Sequence, residues 1–398
     1  MSWHVRDLMK AREDFVMDCK RGRLGFAEVC RRHGISRKTG YKWLSRHAVH
    51  GAEGLGDRSR RPANSPERTS SEIEMRVVSI REEHPCWGGR KIRQVLIDQG
   101  VLEPLPAAST VSNILRRHGL LGTGARAGSA AFKRFERNEP NDLWQMDFKG
   151  HFAMDGGSRC HPLTVLDDHS RYNLVLQACG RETREVVQPH LEKAFRRYGL
   201  PRQILCDRGS PWGLGLREGG GCYGTTGLEI WLMRLGIELI HGRPRHPQTQ
   251  GKEERFHRTL KAEVIARESL WQDLGHCQRE FDRWSRIYNE VRPHEALQMA
   301  RPGDRYRPST RSYPERLAEV GSFYLQEDKL RVVRSKGEIT FGNQTFAVGS
   351  AFIGETVALR KSGEQRWDLY YCWKRLGVVD LNRVTKPKGY QNVLIQED

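Results

Sequence analysis

Three acidic residues in this sequence stand where carboxylates can share a metal ion. Asp147 lies within an apolar strand-like run, Asp207 ends another just before a glycine, and Glu254 falls in the first turn of a helix that begins at Gly251. Converging carboxylates repel one another unless a cation is present, and oxygen-only ligands favour Mg²⁺, or Mn²⁺, over zinc. Two such ions, about 3.5–4 Å apart, activate the attacking oxygen and stabilise the leaving oxygen of a phosphodiester. The plain alternative for each Asp is a turn former at a strand end.

The helix that carries Glu254 also carries basic residues. Positions i+3, i+4 and i+7 are His257, Arg258 and Lys261, so one face presents an acid and then bases. Such a face suits a metal ion at its N-terminal end and DNA phosphates farther along. The bland alternative is a surface salt bridge between Glu254 and Arg258, worth about 0.3–0.5 kcal/mol.

Charge and hydropathy narrow the class of protein. The 398 residues carry a formal charge of +18, and residues 1–135 hold 26 Lys and Arg against 14 Asp and Glu. A concentrated basic region suits a polyanion such as DNA. Mean hydropathy is −0.69, and neither a run of about 18 apolar residues nor a signal-peptide pattern occurs. We therefore expect a cytoplasmic, nucleoid-associated protein that does not bind a membrane.

Cysteine usage agrees with a reducing compartment. Nine cysteines without a Cys-x-x-Cys pair indicate buried thiols. Cys30-x-x-His33 and His47-x-x-His50 have zinc-like spacing, yet both fall on predicted helices, so zinc is the weaker reading.

A helix-turn-helix is predicted over residues 26–47. Gly34 permits the tight turn, and Ser36 caps the second helix. That helix presents Arg37, Lys38 and Lys42 outward as candidate DNA contacts, while Tyr41 and Leu44 are expected to face inward. The alternative is a structural helical hairpin.

The periodicity predicts a multidomain chain. Helical patterns recur at 72–84, 88–100 and 109–121, strands alternate with helices from Leu143 onward, and short strands fill the C-terminal region. We predict a helix-turn-helix domain (1–61), a second helical DNA-binding domain with linker (62–135), an α/β core (136–300), and a C-terminal small β-barrel or sandwich (301–398).

Four ordered motifs give the sequence a family resemblance. They are "WQMDFKG", "LCDRGSPW", "HGRPRHPQTQGKEERFHRTLK" and "YNEVRPHEAL". Together they resemble the integrase core of DDE transposases, the RNase H-like group shared with retroviral integrases. The two helical units resemble those of insertion-sequence transposases of the IS481 group within the wider IS3 type. The resemblance covers nearly the whole chain.

The resemblance implies site residues and activity. Asp147, Asp207 and Glu254 would be the catalytic acids that hold two metal ions. Of the two adjacent glutamates, Glu254 is chosen because in related sequences the catalytic acid immediately precedes the arginine, here Arg255. Glu253, about 100° around the helix, is then expected to face solvent or DNA. Lys261 matches a lysine that contacts the DNA end in related integrases.

Two departures from the family pattern are visible. Arg208 replaces a common Asn, and a Gly-rich insertion at 210–227 is expected to be a mobile loop near the site. Neither change removes an acid.

The implied function is DNA transposition. The protein would bind terminal inverted repeats, cleave one strand at each end, and transfer the 3′-hydroxyl to target DNA as at least a dimer. A DNA-binding regulator with an inactive core, or a stand-alone nuclease, are the rival hypotheses.

Overall fold

The computed structural model describes residues 7–58, 69–101, 104–121, 136–207, 212, 225–242, 251–382 and 391–392. The chain divides into two compact units, residues 1–68 and residues 69–398. Within the described ranges, none of the helices is both long and apolar enough to cross a membrane.

The first unit is a small helical bundle. It contains α1 (Leu8–Arg21), α2 (Phe26–Arg32), α3 (Arg37–His50) and a 3₁₀ turn (Gly51–Leu55). Gly34 adopts a left-handed φ of 65°, and the Ser36 hydroxyl accepts a hydrogen bond from Thr39 N at 3.2 Å. Both the turn and the cap predicted for the helix-turn-helix are therefore confirmed.

Packing on α3 differs from the prediction at one position. The inward-facing residues are Gly40 and Trp43, with Leu44 half-buried, whereas Tyr41 is 62% exposed. The prediction that Tyr41 faces inward was wrong. Its ring packs against the Phe26 ring, with centroids 4.2 Å apart, on the surface of the bundle.

Gly40 makes a close helix crossing possible. A Cβ atom there would lie 2.8 Å from Cys30 Sγ and 2.9 Å from ring carbons of Phe15 and Phe26. We expect Gly40→Val to lower the free energy of unfolding of the first unit by about 1–3 kcal/mol through overpacking.

Ser45→Val is the matched control, because Ser45 is exposed on the same helix and the change introduces the same side chain. Thermal unfolding followed by circular dichroism measures both variants. Equal unfolding temperatures for the two would contradict the close packing at Gly40.

A second helical group begins the larger unit. It comprises α4 (Ser71–Glu83), α5 (Gly89–Asp98) and α6 (Ala108–Arg117). Their apolar faces form one core that includes Ile73, Val77, Trp87, Ile92 and Leu115. The helical patterns predicted at 72–84, 88–100 and 109–121 are thus confirmed, with ends shifted by a few residues.

A mixed sheet lies at the centre of the larger unit. Its strands are β1 (Leu143–Phe148), β2 (Phe152–Ala153), β3 (Arg159–Asp167), β4 (Asn173–Cys179), β5 (Gln203–Cys206) and β6 (Glu238–His241). The order is β2-β3-β1-β5-β6, with β4 on β3. The first strands form an antiparallel meander, and β1, β5 and β6 run parallel.

Helices cover this sheet. They are α7 (Arg184–Tyr198), α8 (Gly227–Arg234), α9 (Gly251–Leu260) and α10 (Leu274–Glu290), and α11 (Pro302–Arg305) follows. A π-helical segment, Lys261–Ile265, continues α9. Apolar side chains of α7 and α8 pack on one group of sheet residues, and those of α9 and α10 on another. This is the α/β, RNase H-like core expected from the sequence.

The C-terminal region forms two small sheets. Its strands are β7 (Lys329–Val332), β8 (Glu338–Phe341), β9 (Gln344–Ala347), β10 (Thr356–Lys361), β11 (Arg366–Tyr371), β12 (Lys374–Asp380) and β13 (Gln391–Asn392). The orders are β12-β11-β10-β7 and β13-β9-β8, so the described residues of this region form seven strands rather than the five or so expected. Ile230 and Met233 of α8 join its apolar core, and Lys374 pairs with Glu229 at 3.0 Å. The module is therefore packed directly on the α/β core.

Candidate active site and DNA-binding surfaces

Parallel pairing of β1 and β5 sets two predicted acids at one edge of the sheet. The pairing register runs from Leu143 opposite Gln203 to Gln145 opposite Leu205. Extending it by two residues brings Asp147 beside Asp207, because neighbouring strands lie about 4.8 Å apart. This is the carboxyl edge of the parallel strands, where α/β proteins gather ligands.

The electrostatics of Asp147 reflect this crowding. Burial raises its pKa from the usual value to about 7, and the negative charges of Asp207, Glu182 and Glu254 act in the same direction. A hydrogen bond at 2.8 Å from Phe148 N to Asp147 Oδ1 opposes the rise. Asp147 therefore lies near two of its predicted partners, Asp207 and Glu254, in a site where a positive charge would be favoured.

The start of α9 reverses one expectation. Glu253, expected to face solvent or DNA, is 1% exposed, and its Oε2 lies 3.0 Å from the Thr164 hydroxyl. That expectation was wrong because the helix turns this side chain onto β3, where Thr164 pairs with Asp147. Burial, and then the charge of Asp147, raise the pKa of Glu253 well above its ordinary range.

The Thr164 hydroxyl lies among three polar groups. Its oxygen is 3.0 Å from the Asp147 carbonyl oxygen, 3.0 Å from Glu253 Oε2 and 2.9 Å from His257 Nε2. A hydrogen bond donated by Thr164 to Glu253 opposes the rise in the pKa of Glu253, so burial is the cause that dominates there. Burial also lowers the pKa of His257 to about 3.

Glu254 occupies the opposite situation. Its side chain is exposed, and its charge still contributes to the raised pKa of Asp147. Across the described ranges, three or more His, Cys, Asp or Glu side chains nowhere form a group arranged to hold a metal ion, at the predicted acids or at the zinc-like Cys30 and His33 pair. Arg208 and nearly all of the insertion at 210–227 lie outside the described residues.

Two contributors to the site carried no sequence signal that we used. Lys252 pairs with the buried Asp168 after β3, which fastens the first turn of α9 to the sheet, and burial lowers the pKa of Lys252 to about 8. Trp212, within the insertion, is buried and stacks on Phe148 with ring centroids 5.5 Å apart. An apolar tryptophan in a Gly-rich segment was the available signal for the second of these.

The predicted DNA contacts of α9 divide into two kinds. Arg258 and Lys261 are exposed, and Lys261 contributes to lowering the pKa of the neighbouring Lys149, so positive charge gathers beside the acids. His257 is instead turned inward, with its side chain 13% exposed and 3.9 Å from Asp147 Oδ2. A role in supporting Asp147 suits His257 better than a contact with DNA.

The predicted contacts of the first unit all lie on the surface of α3. Arg37, Lys38 and Lys42 are exposed, and the Lys42 ammonium lies 4.2 Å from the centre of the Trp43 ring. Tyr41 lies between them on the same face, so the outer surface of α3 combines positive charge with one aromatic ring.

Protein-family models match most of the chain in separate segments. Integrase core domain models match residues 137–247 and 235–302, a Homeodomain-like domain model 39–115, and a Helix-turn-helix domain model 11–63. The model of the IS481 family transposase C-terminal domain matches residues 328–387. The chain is therefore similar to integrase-core transposases over residues 137–302, and its C-terminal region is similar to that of IS481 family transposases.

Curated proteins similar to this chain come from insertion elements. It is 24% identical over 272 residues to the insertion element IS476 uncharacterized 39.2 kDa protein of Xanthomonas euvesicatoria, covering 67% of this chain and 73% of that protein. It is 26% identical over 247 residues to the transposase InsD for insertion element IS2A/D/F/H/I/K of Escherichia coli, covering 58% and 77% respectively.

The solved structures similar to the chain include viral integrases. One is a chain of the simian T-cell lymphotropic virus intasome in complex with PP2A regulatory subunit B56 gamma, with TM-score 0.36 and 16% identity, covering 78% of this chain and 100% of that chain. Another is the HTLV-2 integrase catalytic core domain in complex with magnesium, with TM-score 0.31 and 13% identity, covering 42% and 97%.

Proposed function

We propose that this chain is a DNA transposase that binds the terminal inverted repeats of its element, cleaves one strand at each end and joins the freed 3′-hydroxyl to target DNA. The observation that supports this most is the acid cluster at the carboxyl edge of β1 and β5. The register of β1 and β5, extended by two residues, brings Asp147 beside Asp207, and after burial the charges of Asp207 and of the exposed Glu254 contribute to the raised pKa of Asp147. Such a cluster is unfavourable by itself and suits a reaction that requires divalent cations.

By their chemistry, Asp147, Asp207 and Glu254 would be the residues that hold a pair of Mg²⁺, or Mn²⁺, ions. Carboxylate oxygens are the ligands these ions prefer, and a cation would offset the repulsion that raises the pKa of Asp147. When bound, the ions would supply charge stabilisation for the attacking and leaving oxygens of a phosphodiester. The chain itself contributes the positions of the three acids and, through Arg258 and Lys261, positive charge for the adjacent phosphates.

Accessibility favours Glu254 over Glu253 as the third acid. A residue that touches both a metal ion and a DNA phosphate must be reachable from solvent, and Glu254 is exposed. Glu253 is sealed between α9 and β3, where a charged carboxylate would cost several kcal/mol. The hydrogen bond between Glu253 and Thr164 joins α9 to β3, which pairs with the strand that carries Asp147.

DNA binding would use the basic helices. Arg37, Lys38 and Lys42 on α3 are exposed and positively charged, as contacts to transposon ends require. Joining two ends to one target needs at least two protomers, so we propose a homodimer or a larger assembly in the cytoplasm, on the nucleoid.

The test is joining of matching DNA ends. Sequencing the DNA that flanks the gene identifies inverted repeats, and purified protein is then incubated with those ends, a plasmid target and Mg²⁺. The proposal expects joined products that require both the repeats and the ion. Binding without joining would favour a regulator with an inactive core, and cleavage of any DNA without joining would favour a nuclease.

Repulsion between the acids predicts that removing one of them stabilises the metal-free protein and abolishes its response to Mg²⁺. We expect Asp147→Asn to raise the free energy of unfolding of the metal-free protein by about 0.5–2 kcal/mol, because it removes repulsion with Asp207 and Glu254. The same variant should lose the stabilisation that Mg²⁺ gives to the unaltered protein.

Unfolding temperatures with and without Mg²⁺ measure both effects. Glu82→Gln, which neutralises an exposed acid on α4, is the control and should change neither value. A less stable metal-free Asp147→Asn protein, or an unchanged response to Mg²⁺, would contradict the assignment of Asp147.

A further inference from the structure

The outer face of α6 carries side chains suited to reading base pairs. Ser109, Asn113 and Arg116 follow one another at spacings of four and three residues, which places them on a single face of the helix. All three are exposed in the whole chain. Arg116 donates a hydrogen bond to the Asn113 side chain, so the two polar groups are held side by side.

The other charged residues at the end of α6 are used internally. Arg117 and His118 both pair with Glu74 of α4, each at 2.7 Å. The helix therefore directs Arg117 and His118 towards its neighbour and leaves the Ser109–Asn113–Arg116 face to the outside. An asparagine amide matches the major-groove edge of adenine, and an arginine matches that of guanine.

A continuous set of contacts connects α6 to the helix of the candidate acids. Arg81 donates hydrogen bonds to Leu120 O, just beyond α6, at 2.8 Å and to Trp87 O at 2.6 Å. Next to Trp87, the Cys86 thiol lies 3.4 Å from Ala262 O, in the π-helical segment that continues α9. Arg90 lies 3.9 Å from Glu295, and Ile287 of α10 packs against the core of α4–α6.

We propose that α6 reads base edges of the element's ends through Ser109, Asn113 and Arg116, at a distance from the catalytic acids set by this packing. The ligand is double-stranded DNA, because a groove of base edges matches the amide, the hydroxyl and the guanidinium together. This inference rests on the proposed function, since it assumes that the chain binds transposon ends. It assigns contacts with base edges to α6 in addition to α3. It also implies that the larger unit fixes the distance along the DNA between the sequence bound by α6 and the cleavage site.

The first experiment measures binding of the full-length protein to matching ends without divalent ions, so that chemistry plays no part. Asn113→Ala and Arg116→Ala should each weaken binding about 10- to 100-fold and relax the preference at one base pair, as shown by single-base substitutions in the DNA. Arg117→Ala is the matched control: it removes an arginine from the same helix and should weaken binding less than about threefold. Unchanged affinity and base preference in both Asn113→Ala and Arg116→Ala would overturn the reading role of α6.

The second experiment tests the fixed distance between the two DNA-contacting sites by hydroxyl-radical footprinting, again without divalent ions. Base pairs whose protection is lost in Asn113→Ala define the α6 box, and a second protected patch marks the core. Inserting five base pairs between them should leave the α6 box occupied and move the core's protection with it, at the original distance. Core protection that stays at the DNA end while the α6 box is still bound would overturn the fixed spacing. Failure of joining in the presence of Mg²⁺, with both footprints as expected, would contradict the proposed function and leave this inference supported.

Discussion

Glu254→Gln should lower DNA-end joining by about 10³-fold or more, whereas Glu253→Gln should retain it within about tenfold. Glu254 is exposed, and its charge acts on Asp147. The substitution replaces a carboxylate ligand by an amide, which has one neutral oxygen and therefore binds a metal ion more weakly. Glu253 is buried with a pKa raised by that burial, and glutamine has the same shape and keeps an oxygen that can accept from the Thr164 hydroxyl. The two substitutions are chemically identical and adjacent, so each is the control for the other.

The measurement is the rate of strand joining at saturating Mg²⁺, with DNA binding and unfolding temperature checked for each variant. Both variants should bind ends like the unaltered protein. Loss of joining in Glu253→Gln with activity kept in Glu254→Gln would assign the third ligand to Glu253. That result would require α9 to turn by about 100° on binding DNA.

Removal of residues 1–68 should weaken binding to matching ends about 100-fold or more while the remaining chain stays folded. The first unit has its own apolar core, built from Phe15, Val16, Val29, Trp43 and Leu55 among others, and the acids belong to the other unit. Specific DNA affinity usually exceeds non-specific affinity by about 10³ or more, and a missing recognition helix forfeits part of this difference.

A full-length protein with Arg37, Lys38 and Lys42 all changed to Ala is the companion variant. It keeps the fold of the first unit and should reproduce most of the loss, with a smaller dependence of binding on salt concentration. Gel-shift titrations at several salt concentrations, with circular dichroism of each protein, give the result. Equal affinity of the truncated and the full-length proteins for matching ends would show that the first unit does not recognise them.

Local sequence signals were sufficient wherever a feature depends on neighbours along the chain. The Gly34 turn, the Ser36 cap and the helices of both helical groups follow from residue types within one or two turns. The strand alternation of the core likewise predicted β1 and β5, the strands near Asp147 and Asp207, whereas their parallel pairing is known only from the structure.

The direction in which a side chain points around a helix was harder to predict from the sequence where the residue type suits both the interior and the surface. Tyr41 has an apolar ring and a polar tip, and its stacking on Phe26 at the surface depends on Trp43 and Gly40 filling the interior. The π-helical turn after Leu260 also lacks a local sequence signal, because it depends on how the end of α9 packs against α10.

The sequence by itself predicted the resemblance to integrase-core transposases, the helical and α/β regions and the acidic residues proposed for chemistry, since motif order and periodicity lie along the chain. Only the tertiary structure decided what becomes of each glutamate at the start of α9. Glu253 and Glu254 are equivalent when only the order of residues along the chain is considered. In the folded structure they differ, because Glu253 contacts Thr164 on β3 and Glu254 is exposed to solvent. Burial separates them physically, because it raises the pKa of the carboxyl group enclosed between helix and sheet, while the neighbouring side chain stays exposed, where a cation and a DNA strand can reach it.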